Sequence, residues 1–77
     1  MKRPDCLLVH LGSEAENLMV KALLEAYDLK YQTTSNPCDE WPSLPAVYGY
    51  YGHKRPTLIG GYAELCDLVA SLDTPAN

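Results

Sequence analysis

Few side chains in this sequence could carry covalent chemistry: three cysteines (Cys6, Cys38 and Cys66), two histidines (His10 and His53), and Ser13, which directly follows a glycine. A sulfur attacks only as its thiolate, so each cysteine is judged by the charges and helix ends around it. Cys38 lies in Asn36-Pro37-Cys38-Asp39-Glu40-Trp41 and is the cysteine expected at the surface. Its two neighbouring carboxylates work against a negatively charged sulfur, so an incidental thiol is favoured over a redox one. Cys6 and Cys66 sit within apolar runs and read as small core residues. An odd, widely spaced set without Cys-x-x-Cys excludes a secreted disulfide framework, and no His or Cys pair has metal-ligand spacing. No metal or cofactor is therefore assigned. His10 reads as a strand histidine, and His53 belongs to Gly52-His53-Lys54-Arg55, the one cationic cluster.

The elements that position these residues can be read from spacing. Cys6 to Leu11, closed by Gly12 and preceded by Pro4, is a short apolar run expected to form a strand buried on both faces. Ser13 then opens the pattern Ser-x-x-Glu with Glu16, a capping box in which each side chain satisfies a free backbone N–H of the other. That favours Ser13 as a helix cap over Ser13 as a group that polarises a thiol. Ala15, Leu18, Met19, Ala22, Leu23, Ala26 and Tyr27 recur at three- and four-residue steps, predicting a helix to about Tyr27 with this stripe facing the core. Leu29, Tyr31 and Thr33 alternate with polar residues, predicting a second strand with one covered face. Strand, helix and strand in one sheet are expected to be parallel with a right-handed crossover.

Ser35 to Pro45 holds Pro37, Pro42 and Pro45 and is predicted to be a loop anchored by Trp41. Ala46-Val47-Tyr48 and Thr57-Leu58-Ile59 are β-prone triplets expected to form a hairpin with a long tip. Tyr62, Leu65, Leu68, Val69 and Leu72 predict a final helix, and residues 74–77 a frayed end. Tyr48, Tyr50, Tyr51 and Tyr62, in a chain without Phe, are divided between core filling and an aromatic interaction surface.

A chain of 77 residues with 47% apolar and 21% charged residues fits one small globular domain over 1–77 and excludes a disordered tail, a collagen-like repeat or a coiled coil. Its formal charge of −4 gives no footprint for nucleic acid or an anionic membrane. The run after Met1-Lys2-Arg3 is broken by His10 and Gly12, short of a signal peptide, and no segment reaches the roughly 20 apolar residues of a membrane span. The expectation is a cytoplasmic protein, monomer or homodimer.

The order of elements, with Leu44-Pro45-Ala46-Val47 and Ile59-Gly60-Gly61-Tyr62-Ala63-Glu64-Leu65, resembles the glutaredoxin-like form of the thioredoxin fold. These two segments are similar to that family's cis-proline motif V-P-x-V and its I-G-G-x-D-D-L motif, and Lys21-Ala22-Leu23-Leu24-Glu25 is a weaker match in the first helix. The resemblance implies an α/β fold, β-α-β-β-β-α, with a four-stranded mixed sheet. It implies Pro45 as the cis-proline, with Pro56 as the competing candidate. It also implies that the backbone of Leu44, with Gly60, Gly61, Tyr62 and Glu64, lines a groove for glutathione or an extended peptide. The positions of the family's C-P-Y-C fall on Glu14, Ala15, Glu16 and Asn17, so both nucleophiles are missing and Glu14 and Asn17 stand in their places. The family's glutathione-holding cations have no counterpart at Gly12, Ser13, Trp41 or Pro42. Glu14 and Glu16 would repel a tripeptide of net negative charge, which disfavours glutathione as a ligand. The expected function is a redox-inactive binding or adaptor module for a peptide or protein partner. The alternative is a divergent glutathione-dependent oxidoreductase or transferase-like enzyme acting through Cys38 or Ser13.

Overall fold

The computed structural model describes residues 3–41 and 43–73, the last by its backbone alone. The frayed end expected over 74–77 lies outside these residues, as does the proline at 42. The elements run β1 (Cys6–His10), α1 (Glu14–Ala26), β2 (Tyr31–Thr34), β3 (Ala46–Tyr50), β4 (Thr57–Gly60) and α2 (Tyr62–Asp73). The fold is α/β with one four-stranded mixed sheet in the order β2-β1-β3-β4. β1 and β2 are parallel, as a strand–helix–strand crossover requires. The β1–β3 and β3–β4 pairs are antiparallel. None of the described helices is long and apolar enough to cross a membrane.

One apolar cluster holds the layers together. Leu7 and Val9 of β1, Val47 of β3, Val20 and Leu24 of α1, and Leu65 of α2 are fully excluded from solvent, with Leu68 and Val69 almost so. Both helices therefore press on the same sheet face. This corrects the expectation for β1, whose residues alternate between buried (Leu7, Val9) and half-buried (Cys6, Leu8, His10). A strand covered by helices on one side only shows that period of two. Cys6, expected in the core, thus lies half-buried on the other face. β2 is an edge strand, and Thr33, expected on a covered face, is exposed although its neighbour in register, Val9 of β1, is fully buried.

The face of α1 also differs from expectation. Ala15, Leu18, Met19, Ala22 and Ala26 all point to solvent, Leu23 and Tyr27 of the expected stripe are half-buried against the core, and the fully buried positions are Val20 and Leu24. The helix carries apolar residues on two sides, and the side with the larger branched side chains is the one that docks. Beyond α1, Asp28 takes a left-handed conformation (φ 54°). The Leu29 N–H returns to the Leu24 carbonyl at 2.9 Å, and Arg3 Nη2 donates to the Tyr27 and Asp28 carbonyls at 2.9 and 2.8 Å. The helix end is thereby closed without a glycine.

Candidate functional site

Three chain reversals meet at the end of the sheet where β1 stops and both helices begin: Gly12-Ser13, Leu44-Pro45 and Gly60-Gly61. Register places them together, since His10 pairs with Ala46 and Val47 with Gly60. Val47 and Tyr48 pair with Gly60 and Leu58, leaving Ile59 as the extra residue of a bulge that twists β4 just before the turn. The Leu44–Pro45 peptide bond is cis. Gly12 approaches it closely: a Cβ built on Gly12 would stand 2.5 Å from the Leu44 carbonyl carbon and 2.7 Å from its oxygen. Gly60 has φ 128°, and a Cβ there would also collide with Glu64 at 2.7 Å, so two independent constraints demand glycine. A Cβ on Gly61 would lie 3.3 Å from Trp41 Nε1 and 3.5 Å from the Pro45 carbonyl oxygen, which puts the half-buried indole beside this turn. Among the described residues, the Leu44 N–H and C=O form no hydrogen bond.

One backbone donor at each helix start is taken by a side chain. Ser13 Oγ accepts the Glu16 N–H at 3.3 Å and donates to Glu16 Oε1 at 2.9 Å. The cap expected from the sequence is present, but its second half runs between side chains rather than back to the Ser13 N–H. Asn17 accepts from the Gly12 N–H at 2.7 Å and donates to the Gly12 carbonyl at 3.0 Å. The Asn17 side chain therefore fastens Gly12 on both its N–H and its carbonyl. At α2, Glu64 Oε1 accepts the Gly61 N–H at 2.9 Å, so this carboxylate caps its own helix. An incoming carboxylate would have to displace Glu64, and Glu14 and Glu16, both exposed and in no ion pair among the described residues, would repel it. Replacing Ser13 with alanine should lower stability by about 1 kcal/mol through loss of the cap, read as a lower urea midpoint with an unchanged slope.

Cys38 is held elsewhere. Its Sγ lies 3.3 Å from the Tyr48 hydroxyl, and that hydroxyl donates to Glu40 Oε1 at 2.6 Å. In the Cys38–Tyr48 contact either the thiol or the hydroxyl can be the donor. His10 stacks obliquely on Tyr48 with ring centroids 5.5 Å apart, and its Nδ1 meets the Asn36 carbonyl at 2.9 Å. These contacts pin the loop after β2 across the helix-free sheet face, where His10, Glu40, Tyr48, Tyr50 and Arg55 line a shallow hollow. None of the hydrogen bonds of Cys6 or Cys38 reaches residues 12–17. Cys66 lies on α2, where its interaction with Tyr62 pushes that phenol up. Tyr48, Tyr50, Tyr51 and Tyr62 are all half-buried, so neither the core nor an open aromatic patch claims them outright. No group of three or more metal-ligating side chains is assembled among the described residues.

The hydrogen bond with Cys38, and then the one with Glu40, holds the Tyr48 phenol far above its ordinary range. In the folded chain Tyr48 keeps its proton at a pH where the unfolded chain has lost it. The stabilisation is complete below about pH 10 and is lost as pH climbs further. Denaturant titrations across that alkaline window should show stability falling with pH in the wild type and falling less in Tyr48→Phe.

The close approach of Gly12 to Leu44 and the Tyr48 cluster were both invisible as motifs. Period-two alternation put His10 and Tyr48 on one face, but no local pattern marks which loop residues fold back over them. No protein-family model, curated protein or solved structure matches this chain.

Proposed function

We propose that this chain is a glutaredoxin-like domain without dithiol chemistry, a cytoplasmic binding or adaptor module whose groove takes an extended peptide or protein segment. The observation that carries this reading is the pairing of an unreactive α1 start with an unused main-chain edge. Ser13, Glu16 and Asn17 hydrogen-bond internally where a sulfur would have to sit. The Leu44 N–H and C=O have no partner among the described residues. An extended backbone can pair with such an edge regardless of its side chains, while Gly61, Tyr62 and Trp41 shape what fits beside it.

Amide shifts of the isotope-labelled chain, followed during titration with unstructured peptide mixtures and separately with glutathione, test this. The expected result is movement of Leu44, Gly61 and Tyr62 with peptide and little response to glutathione. A response confined to residues outside this groove would overturn the reading.

A further inference from the structure

The outward side of α1 is an apolar surface for which neither the core nor the Leu44 groove has a use. Ala15, Leu18, Met19, Ala22 and Ala26 follow one another at steps of three and four, apart from the adjacent pair Leu18-Met19, and are all exposed. On the 3.6-residue period they fill an arc roughly 100° wide, the width of a helix face that normally docks. Val20 and Leu24 lie on the other side of the helix, fully buried. Leu18 is 60% and Met19 45% exposed, the two large hydrophobic side chains left open among the described residues. The helix is thus apolar on two opposite sides, of which the core uses one. Two projecting side chains among three alanines form low relief, which lets another helix approach closely.

Charge decides what could cover this surface. Glu14 and Glu25 border the stripe on one side with Lys21, and Glu16 borders it on the other; α1 therefore carries three carboxylates against one ammonium. Any two-fold pairing of two copies through α1 sets acidic border against acidic border. An anionic bilayer meets the same repulsion. A helix with its own apolar stripe and Lys or Arg on its borders meets three carboxylates and only the one like charge of Lys21, and it satisfies both the stripe and the rim. We infer that the solvent face of α1 is a docking surface for a basic amphipathic helix of a partner protein, separate from the Leu44 groove.

The test uses the intact 77-residue chain, isotope-labelled, and two synthetic helices of about 18 residues. The probes share one leucine stripe and differ only in carrying lysine or glutamate at every other position. The lysine probe is expected to move the amides of Ala15, Leu18, Met19 and Ala22, and the glutamate probe to leave them in place. The double variant Leu18→Gln/Met19→Gln should bind the lysine probe at least tenfold more weakly, roughly the loss expected when two half-exposed apolar side chains stop being covered. Ala22→Lys, another exposed site, should weaken it similarly by placing a cation in the stripe, and it keeps the test open should the double variant melt early. Equal binding of both probes would overturn the inference. So would unchanged affinity in the variants, shifts centred on Leu44 and Gly61, or stripe signals that move with protein concentration alone.

Discussion

Gly12→Ala is expected to cost about 3 kcal/mol of folding stability or more, at the top of the range for overpacking. The added Cβ would fall 2.5–2.7 Å from the carbonyl carbon and oxygen of Leu44 and the nitrogen of Pro45. These are main-chain atoms between a loop and β3, so they cannot rotate aside as a side-chain tip would. Relief requires that Gly12 or the Leu44-Pro45 segment shift as a whole. Shifting Gly12 strains the two hydrogen bonds from Asn17 that hold its peptide, and shifting Leu44-Pro45 disturbs the entry to the strand carrying the fully buried Ala46 and Val47. A chain this short has a total stability on the order of 5 kcal/mol, so most of it would be lost. Gly52→Ala is the comparison: that glycine has φ 63° with no atom within 4 Å of a built Cβ, and the expected cost is only the about 1 kcal/mol of a left-handed alanine. Urea unfolding followed by circular dichroism would separate the two, and similar midpoints would mean that the Gly12–Leu44 approach is not tight.

The second large effect contrasts two leucines of one helix. Leu24 is fully buried among the core residues of both helices and the sheet. Truncation to alanine removes the transfer energy of the side chain and leaves a cavity, together about 3 kcal/mol. Leu18 is 60% exposed, and Leu18→Ala should change stability by no more than about 0.5 kcal/mol, since alanine also suits a helix surface. The ordering matters more than either value. A larger loss at Leu18 than at Leu24 would mean that α1 docks through the stripe that the sequence pattern favours.

That pattern explains where sequence reading succeeds and where it stops. Ser13 and Glu16 mark the start of α1 because a cap is a local, chemically specific event, and the structure places the helix at Glu14–Ala26. Leu65, Leu68 and Val69 are buried in α2 as their spacing predicts. The face of α1 was not legible for a physical reason. Counting apolar positions gives alanine the same weight as leucine, so Ala15, Ala22 and Ala26 outvote Val20, although burying valine and leucine removes far more apolar area from water. β1 reads as uniformly apolar because Leu8 faces the side that the helices leave open, where only a loop crosses it. The site was legible in part. The Leu44-Pro45 and Gly60-Gly61 segments announce themselves as motifs and do meet, whereas the role of Asn17 in fastening Gly12, and of Glu64 in capping α2, depends on side-chain reach across a turn. The attachment of Cys38 to Tyr48 spans ten residues of irregular chain, and no periodicity encodes it.

The position of Cys38 bears on function more than its presence does. Sulfur chemistry of the thioredoxin type needs a thiolate at the amino end of a helix, where the dipole and free N–H groups stabilise it. Here Ser13 takes the Glu16 N–H, Asn17 fastens Gly12 just before the helix, and Glu14 and Glu16 flank that end. Cys38 instead contacts the Tyr48 hydroxyl on the helix-free face of the sheet. The most direct test is a glutathione-coupled disulfide reduction assay with the purified chain. The account predicts turnover indistinguishable from buffer, in the wild type and in Cys38→Ser alike; clear turnover that Cys38→Ser abolishes would contradict it.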